Sequence, residues 1–110
     1  MFLAQFKFVP GNYDDEFHTL DKAIGEYAES LPGYVGVERW ISPDGLKRNS
    51  MYYFKDMETI QTFAKFPEHL DAKKQYAKWY DGYEVVISEI KTSYGDGKIA
   101  SVLNEKRPEN

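Results

Sequence analysis

Four of the five prolines in this 110-residue chain stand where a regular element has to stop or start. Pro10-Gly11, Pro32-Gly33, the run Ser42-Pro43-Asp44-Gly45, and Pro67 cut the sequence into short segments, each with one dominant periodicity. Proline removes a backbone donor and fixes φ, and glycine admits left-handed conformations, so these positions punctuate strands and helices. Few folds fit what lies between them.

Phe2–Val9 alternates loosely and predicts a first strand. From Asp14 to Leu31, Phe17, Leu20, Ile24, Tyr27, Ala28 and Leu31 recur at helical spacing, with acids in the first turn where the helix dipole favours them. Tyr34–Ile41 and Arg48–Lys55 predict a hairpin around the Ser42–Gly45 turn. Asp56 caps a helix with the inner stripe Met57, Ile60, Phe63 and Ala64. Pro67 opens a further helix running to Tyr80; a tight Asp81-Gly82 turn and a β-branched strand, Glu84–Ile90, follow. The order βαββαβ predicts a ferredoxin-like α+β domain over residues 1–97. Residues 98–110 read as a polar C-terminal tail, mobile unless it docks.

The strands are apolar on both sides. Phe2, Phe6 and Phe8 oppose Leu3 and Val9; Val35, Val37 and Ile41 oppose Tyr34 and Trp40; Val85 and Ile87 oppose Val86 and Ile90. Helices cover one face of such a sheet, and a solvated second face alternates to polar residues. The second face therefore predicts another sheet, most economically that of an identical chain, and an obligate homodimer.

Composition narrows the function. Without cysteine there is no disulfide, thiolate metal site or thiol nucleophile. The net charge of −4, with acids and bases mixed, argues against a nucleic-acid partner. An RNA-recognition module shares the βαββαβ order, and Tyr52–Phe54 puts aromatics on the third strand, but the basic-Gly-aromatic signature is missing. No basic n-region opens the chain and no apolar run reaches membrane-spanning length, so a cytoplasmic protein without a membrane partner is expected. Nine tyrosines, seven phenylalanines and two tryptophans point to a pocket or an interface as well as a core.

The helix opened by Pro67 carries the candidate site. On a wheel, Phe66, His69, Leu70, Lys73, Tyr76, Ala77 and Tyr80 share a side, and Glu68, Asp71, Lys74, Gln75 and Lys78 form a solvated one. Polar-tipped groups on an inner face need partners. The expected pocket lies between this helix and the sheet, lined by His69, Lys73, Tyr76 and Tyr80, with Tyr53 or Trp40 on its floor. His69, near the positive end of the helix dipole, suits a neutral ring that accepts a proton, and Lys73 suits an enolate or carboxylate. Each has a plainer role beside the chemical one: His69 bonded under the preceding turn, Lys73 reaching water, the tyrosines in core or interface. Trp79 reads as packing or interface, His18 as an exposed residue, and Glu38 and Arg39 as a pair across a dimer. Neither HxH nor HExxH spacing occurs, and no nucleophile elbow does, so neither a metal site nor a serine hydrolase is expected.

The segment Phe66-Pro67-Glu68-His69-Leu70 and the run Trp79-Tyr80-Asp81-Gly82-Tyr83 before a β-branched strand resemble the antibiotic-biosynthesis monooxygenase-like family of the dimeric α+β barrel superfamily. In layout the resemblance covers residues 2–95. It implies a homodimer with facing sheets and, in each protomer, a pocket for a small aromatic molecule. Activities in the family include oxygenation of electron-rich aromatics without metal or flavin, haem degradation, and functions that are not oxygenations. The helix histidine of the family falls on His69. The haem-degrading branch carries an asparagine in the first strand, where this chain has Phe6 and Lys7, and a tryptophan in the second helix, where it has Phe63. Its haem-ligand histidine falls nearer Lys73 than His69. The resemblance thus implies a cofactor-independent monooxygenase for an aromatic or polyketide-like substrate, ahead of a non-catalytic ligand-binding or regulatory dimer and of a haem-binding enzyme.

Overall fold

The computed structural model describes residues 1–104, and the last part of the predicted tail, 105–110, lies outside the described residues. The chain order is β1 (Phe2–Pro10), α1 (Asp15–Ser30), β2 (Tyr34–Ile41), β3 (Arg48–Phe54), α2 (Met57–Ala64), α3 (Pro67–Lys74), α4 (Tyr76–Trp79) and β4 (Tyr80–Glu89). The strands form one antiparallel sheet in the order β2-β3-β1-β4, the ferredoxin-like arrangement.

Local chemistry sets the boundaries. The Asp14 carboxylate accepts from the Phe17 amide at 2.8 Å and caps α1. Asp56 does the same for α2, accepting from the Thr59 amide at 2.8 Å and its hydroxyl at 2.6 Å. In the β2–β3 hairpin, Asp44 accepts from the Leu46 amide, and Gly45 takes the left-handed φ of 76° that closes the turn.

The register sorts the side chains. Phe2 faces Phe54, Ala4 faces Tyr52, Phe6 faces Ser50 and Phe8 faces Arg48, while across β4 Phe6 faces Val85 and Phe8 faces Tyr83. These residues share the face carrying the helices, because Phe63 of α2 lies 5.8 Å from Phe54 and Phe17 of α1 lies 5.9 Å from Tyr80, ring to ring. The core under α2 holds Phe54, fully buried, with Ile60.

Three features depart from the sequence reading. Tyr34 pairs with Phe54 and Gly36 with Tyr53, so Val35 is an extra residue. This bulge moves Tyr34 to the face shared with Val37, against the expected alternation. Next, the helix expected from Pro67 to Tyr80 breaks at Gln75, whose φ of −106° and ψ of 8° leave the helical well. α3 packs mainly on α1 rather than on the sheet and buries no residue fully. Its inward positions are Phe66, stacked on Tyr27 at 3.9 Å, and His69, while Leu70, Lys73, Tyr76 and Ala77, expected inside, are exposed. After the break Trp79 turns inward, 1 % exposed, and its indole donates to Asp14 at 3.1 Å. Finally, Asp81-Gly82 is no tight turn: β4 already begins at Tyr80, which pairs with Pro10, and the register shifts between Val9 and Pro10.

The tail does dock. The Val102 amide donates to Glu38 at 2.9 Å, and a Cβ added at Gly36 would meet the Val102 methyls at 3.0 Å. Val102 thus lies against Gly36, the partner of Tyr53, on the helix-free face, and Tyr53 is only 5 % exposed there. Glu38 is thus engaged within the chain.

Candidate functional site

The large cleft opens between the first two turns of α1 and one end of the sheet. It offers about 500 Å³ and is walled by Phe6, Phe8, Tyr13, Phe17, Tyr52 and Tyr80, with Arg39, Arg48, His18, Asp21 and Trp40 toward its mouth. Alternation builds it: positions 6 and 8 of β1, 39 and 41 of β2, and 48, 50 and 52 of β3 all face α1. The rings brace one another. Phe6 and Phe8 stack at 4.9 Å, Tyr80 meets them edge-on at 5.3 and 5.1 Å, and Tyr13 lies flat on Phe17 at 3.9 Å.

Its polar groups are few. The Arg39 guanidinium donates to the Tyr52 hydroxyl at 3.4 Å and sits 6.0 Å above that ring. Burial raises the pKa of Tyr52, against the lowering influence of Arg39, and burial raises that of Tyr80 well above the usual phenol range. Both hydroxyls are therefore protonated donors at neutral pH. Tyr13, raised by burial, feels Arg48 and Asp21 in opposite directions.

The expected site residues separate. Tyr80 lines the cleft; Trp40, 61 % exposed, only borders it, because pairing with Asn49 turns its side chain to the helix-free face. His69, Lys73 and Tyr76 do not. Near the Pro67 helix the space is a void of about 30 Å³ lined by Ala72, Trp79, Tyr80 and α1 residues, room for one water. The reason is the packing of α3 on α1, which leaves no gap beneath it. His69 rests on Phe63 at 4.7 Å, its pKa lowered by burial and by the Lys73 ammonium against a rise from the Ala64 carbonyl. Those two residues are thus neighbours, outside the cleft. Tyr76, exposed, packs edge-on to Tyr83 at 4.8 Å on the helix-bearing face but outside the cleft, and Tyr53 lies on the opposite face of the sheet. Sequence reasoning missed Tyr13, Arg39, Arg48 and Tyr52, and set His18 aside as exposed, which it is, at the cleft mouth. The signal for the strand residues was present: 39, 48 and 52 fall on one face once the hairpin register is drawn.

Among the described residues no group of three or more His, Asp or Glu side chains is placed to hold a metal ion. No helix among them is long and apolar enough to cross a membrane.

No family model matches the chain, and no curated protein does. Solved structures do. Rv0793 of Mycobacterium tuberculosis superposes with a TM-score of 0.67 at 13% identity, over 86% of this chain and 98% of that one. SnoaB of Streptomyces nogalater, a cofactor-independent oxygenase, also gives 0.67, at 12% identity over 84% and 94%. A Nitrosomonas europaea protein provisionally assigned as an antibiotic biosynthesis monooxygenase gives 0.61, at 14% identity over 84% and 100%. The fold is that of the antibiotic-biosynthesis monooxygenase-like proteins. At such identities the likeness speaks for the backbone alone, and within this fold the cleft is defined by the chain's own residues.

Proposed function

We propose that this chain is a cofactor-independent monooxygenase acting on a small aromatic or polyketide-like compound held in the cleft between α1 and the sheet. The observation that carries the reading is the cleft itself, about 500 Å³ with walls of aromatic rings that include Tyr52 and Tyr80. An electron-rich aromatic supplies its own reducing power. Loss of a proton makes it an oxyanion able to transfer electrons to O₂. For an activated ring methylene the balance is CH₂ plus O₂ giving C=O plus H₂O. Tyr52 and Tyr80 donate hydrogen bonds to the developing oxyanion, Arg39 stabilises its charge, and His18 at the mouth takes the proton. His69 and Lys73, off the cleft, touch no substrate in this scheme.

Oxygen uptake tests it: a polycyclic quinol or anthrone should be consumed with O₂ in equal amounts, above the rate in buffer, and Tyr80→Phe should slow it. Tight binding without uptake across a panel of such compounds would leave the second reading, a non-catalytic ligand-binding protein. That reading is favoured by the position of His69, since the cleft then lacks a buried base.

The assembly belongs to the same proposal. Leu3, Val9, Met51 and Val86 on the helix-free face are partly exposed. Pairing of this face with a second copy would bury at least the standard ~1,600 Å². A folded 12.8 kDa monomer in sedimentation at micromolar concentration would exclude the homodimer.

A further inference from the structure

The chain is acidic overall, yet its cleft holds two guanidiniums against one carboxylate, Asp21. Arg39 faces Ser50 and Arg48 faces Ile41, so the two arginines are diagonal neighbours on one face of the β2–β3 hairpin. Like charges placed so close on a sheet repel. Among the described residues no ion pair relieves that repulsion; the pairs are Lys7–Glu84, Lys22–Glu26, Lys78–Glu16 and Lys91–Glu89, all elsewhere. Arg39 is held over Tyr52 by one long hydrogen bond, which leaves most of its donors free.

We infer that Arg39 and Arg48 form the anion-binding end of the cleft, and that its ligand is a flat aromatic acid whose carboxylate lies between the two guanidiniums while its rings enter between Phe6, Phe8, Tyr13 and Tyr80. Guanidinium forks match carboxylate geometry with paired hydrogen bonds, which a lysine cannot copy. The carboxylate would relieve the arginine repulsion, and the apolar walls would exclude small inorganic anions as adequate guests. This assignment rests on the reading that the cleft holds the substrate, but not on oxygen chemistry.

Two probes of equal shape test it, 2-naphthoate and its methyl ester, titrated at pH 7.5 by calorimetry. The naphthoate should bind at least about tenfold more tightly than the ester, the gain expected of hydrogen bonds to a charged group. R39Q and R48Q should each remove most of that preference by weakening the naphthoate far more than the ester, while R39K with R48K restores only part of it. Where a variant fails to fold, salt decides on the unaltered protein: naphthoate affinity should fall with rising ionic strength and ester affinity should not. Equal affinity for both probes, indifferent to R39Q, R48Q and salt, would overturn the anion site while leaving the aromatic cleft intact. Binding of neither probe would overturn the cleft reading and the anion site together.

Discussion

One face of one sheet is a core at one end and a cleft at the other. Near Phe2, Phe54 is sealed by Ile60 and Phe63, which α2 lays directly on β3. Near Phe8, the same strands face α1 across open space, because Tyr13 and Phe17 stack on each other instead of inserting between strands. Both ends are aromatic, so ring content does not tell pocket from core. Charge does: the face reads Phe54 at the sealed end and Arg48, Ser50 at the open one, with Tyr52 between them. A core has no use for arginine, whereas a cleft with a guest does.

The comparison breaks most visibly at the sealed end. Phe54→Ala should cost about 3–5 kcal/mol by chemical denaturation, the usual penalty for truncating a buried phenylalanine. A loss under about 1 kcal/mol would mean that this end is not core. Asp14→Ala comes next, at about 1–2 kcal/mol, since it removes the α1 cap and strands the buried Trp79 indole at once. An unchanged unfolding midpoint would show that the α1–α4 tie does not hold the cleft wall.

The pH dependence is comparable in size. Burial lowers the His69 pKa below its ordinary 6.5, so the unfolded chain takes up the proton first. The folded state therefore loses stability as pH falls below about 6.5, by at most ~1.4 kcal/mol per pH unit for one proton. The loss levels off once the folded form is protonated too. His69→Phe should flatten that slope while leaving 2-naphthoate affinity alone; if affinity falls and the slope stays, His69 serves the ligand instead. The smallest stability effect belongs to the open end. Tyr13→Ala should cost less than about 1 kcal/mol and weaken 2-naphthoate about two- to tenfold, the range of one aromatic pair.

Much of this was legible beforehand because it is set by neighbours in sequence. The cap at Asp56 and the Ser42–Gly45 turn follow from side chains bonding the next few amides, and the same chemistry at Asp14, where the sequence marks only the start of a helix, caps α1. The element order and the ferredoxin-like class followed from these. What could not be read depends on residues far apart in sequence. The bulge at Val35 reverses Tyr34, and the break at Gln75 lets Trp79 reach Asp14, 65 residues away. Similarly, the Pro67 helix is amphipathic in a way that suits a pocket, but its inner side meets α1, not the sheet. The cleft moved accordingly from under α3 to under α1, carrying Tyr80 with it, keeping Trp40 only at its border and leaving His69, Lys73, Tyr76 and Tyr53 behind.

The place of β1 in the sheet has a consequence for how the molecule comes into being. Phe2 is bonded through its strand to Phe54 on one side and Glu89 on the other. Its neighbours are therefore synthesised long after it, and the last of them only when β4 has emerged. Until then Phe2, Phe6 and Phe8 are an exposed aromatic strand with two unpaired edges, the kind of surface that associates with other chains. Pairings so distant in sequence also make closure of the sheet slow compared with formation of α1 or the β2–β3 hairpin. A growing chain of this protein should thus spend its vulnerable period waiting for its final strand, and slower translation near the end would lengthen that wait.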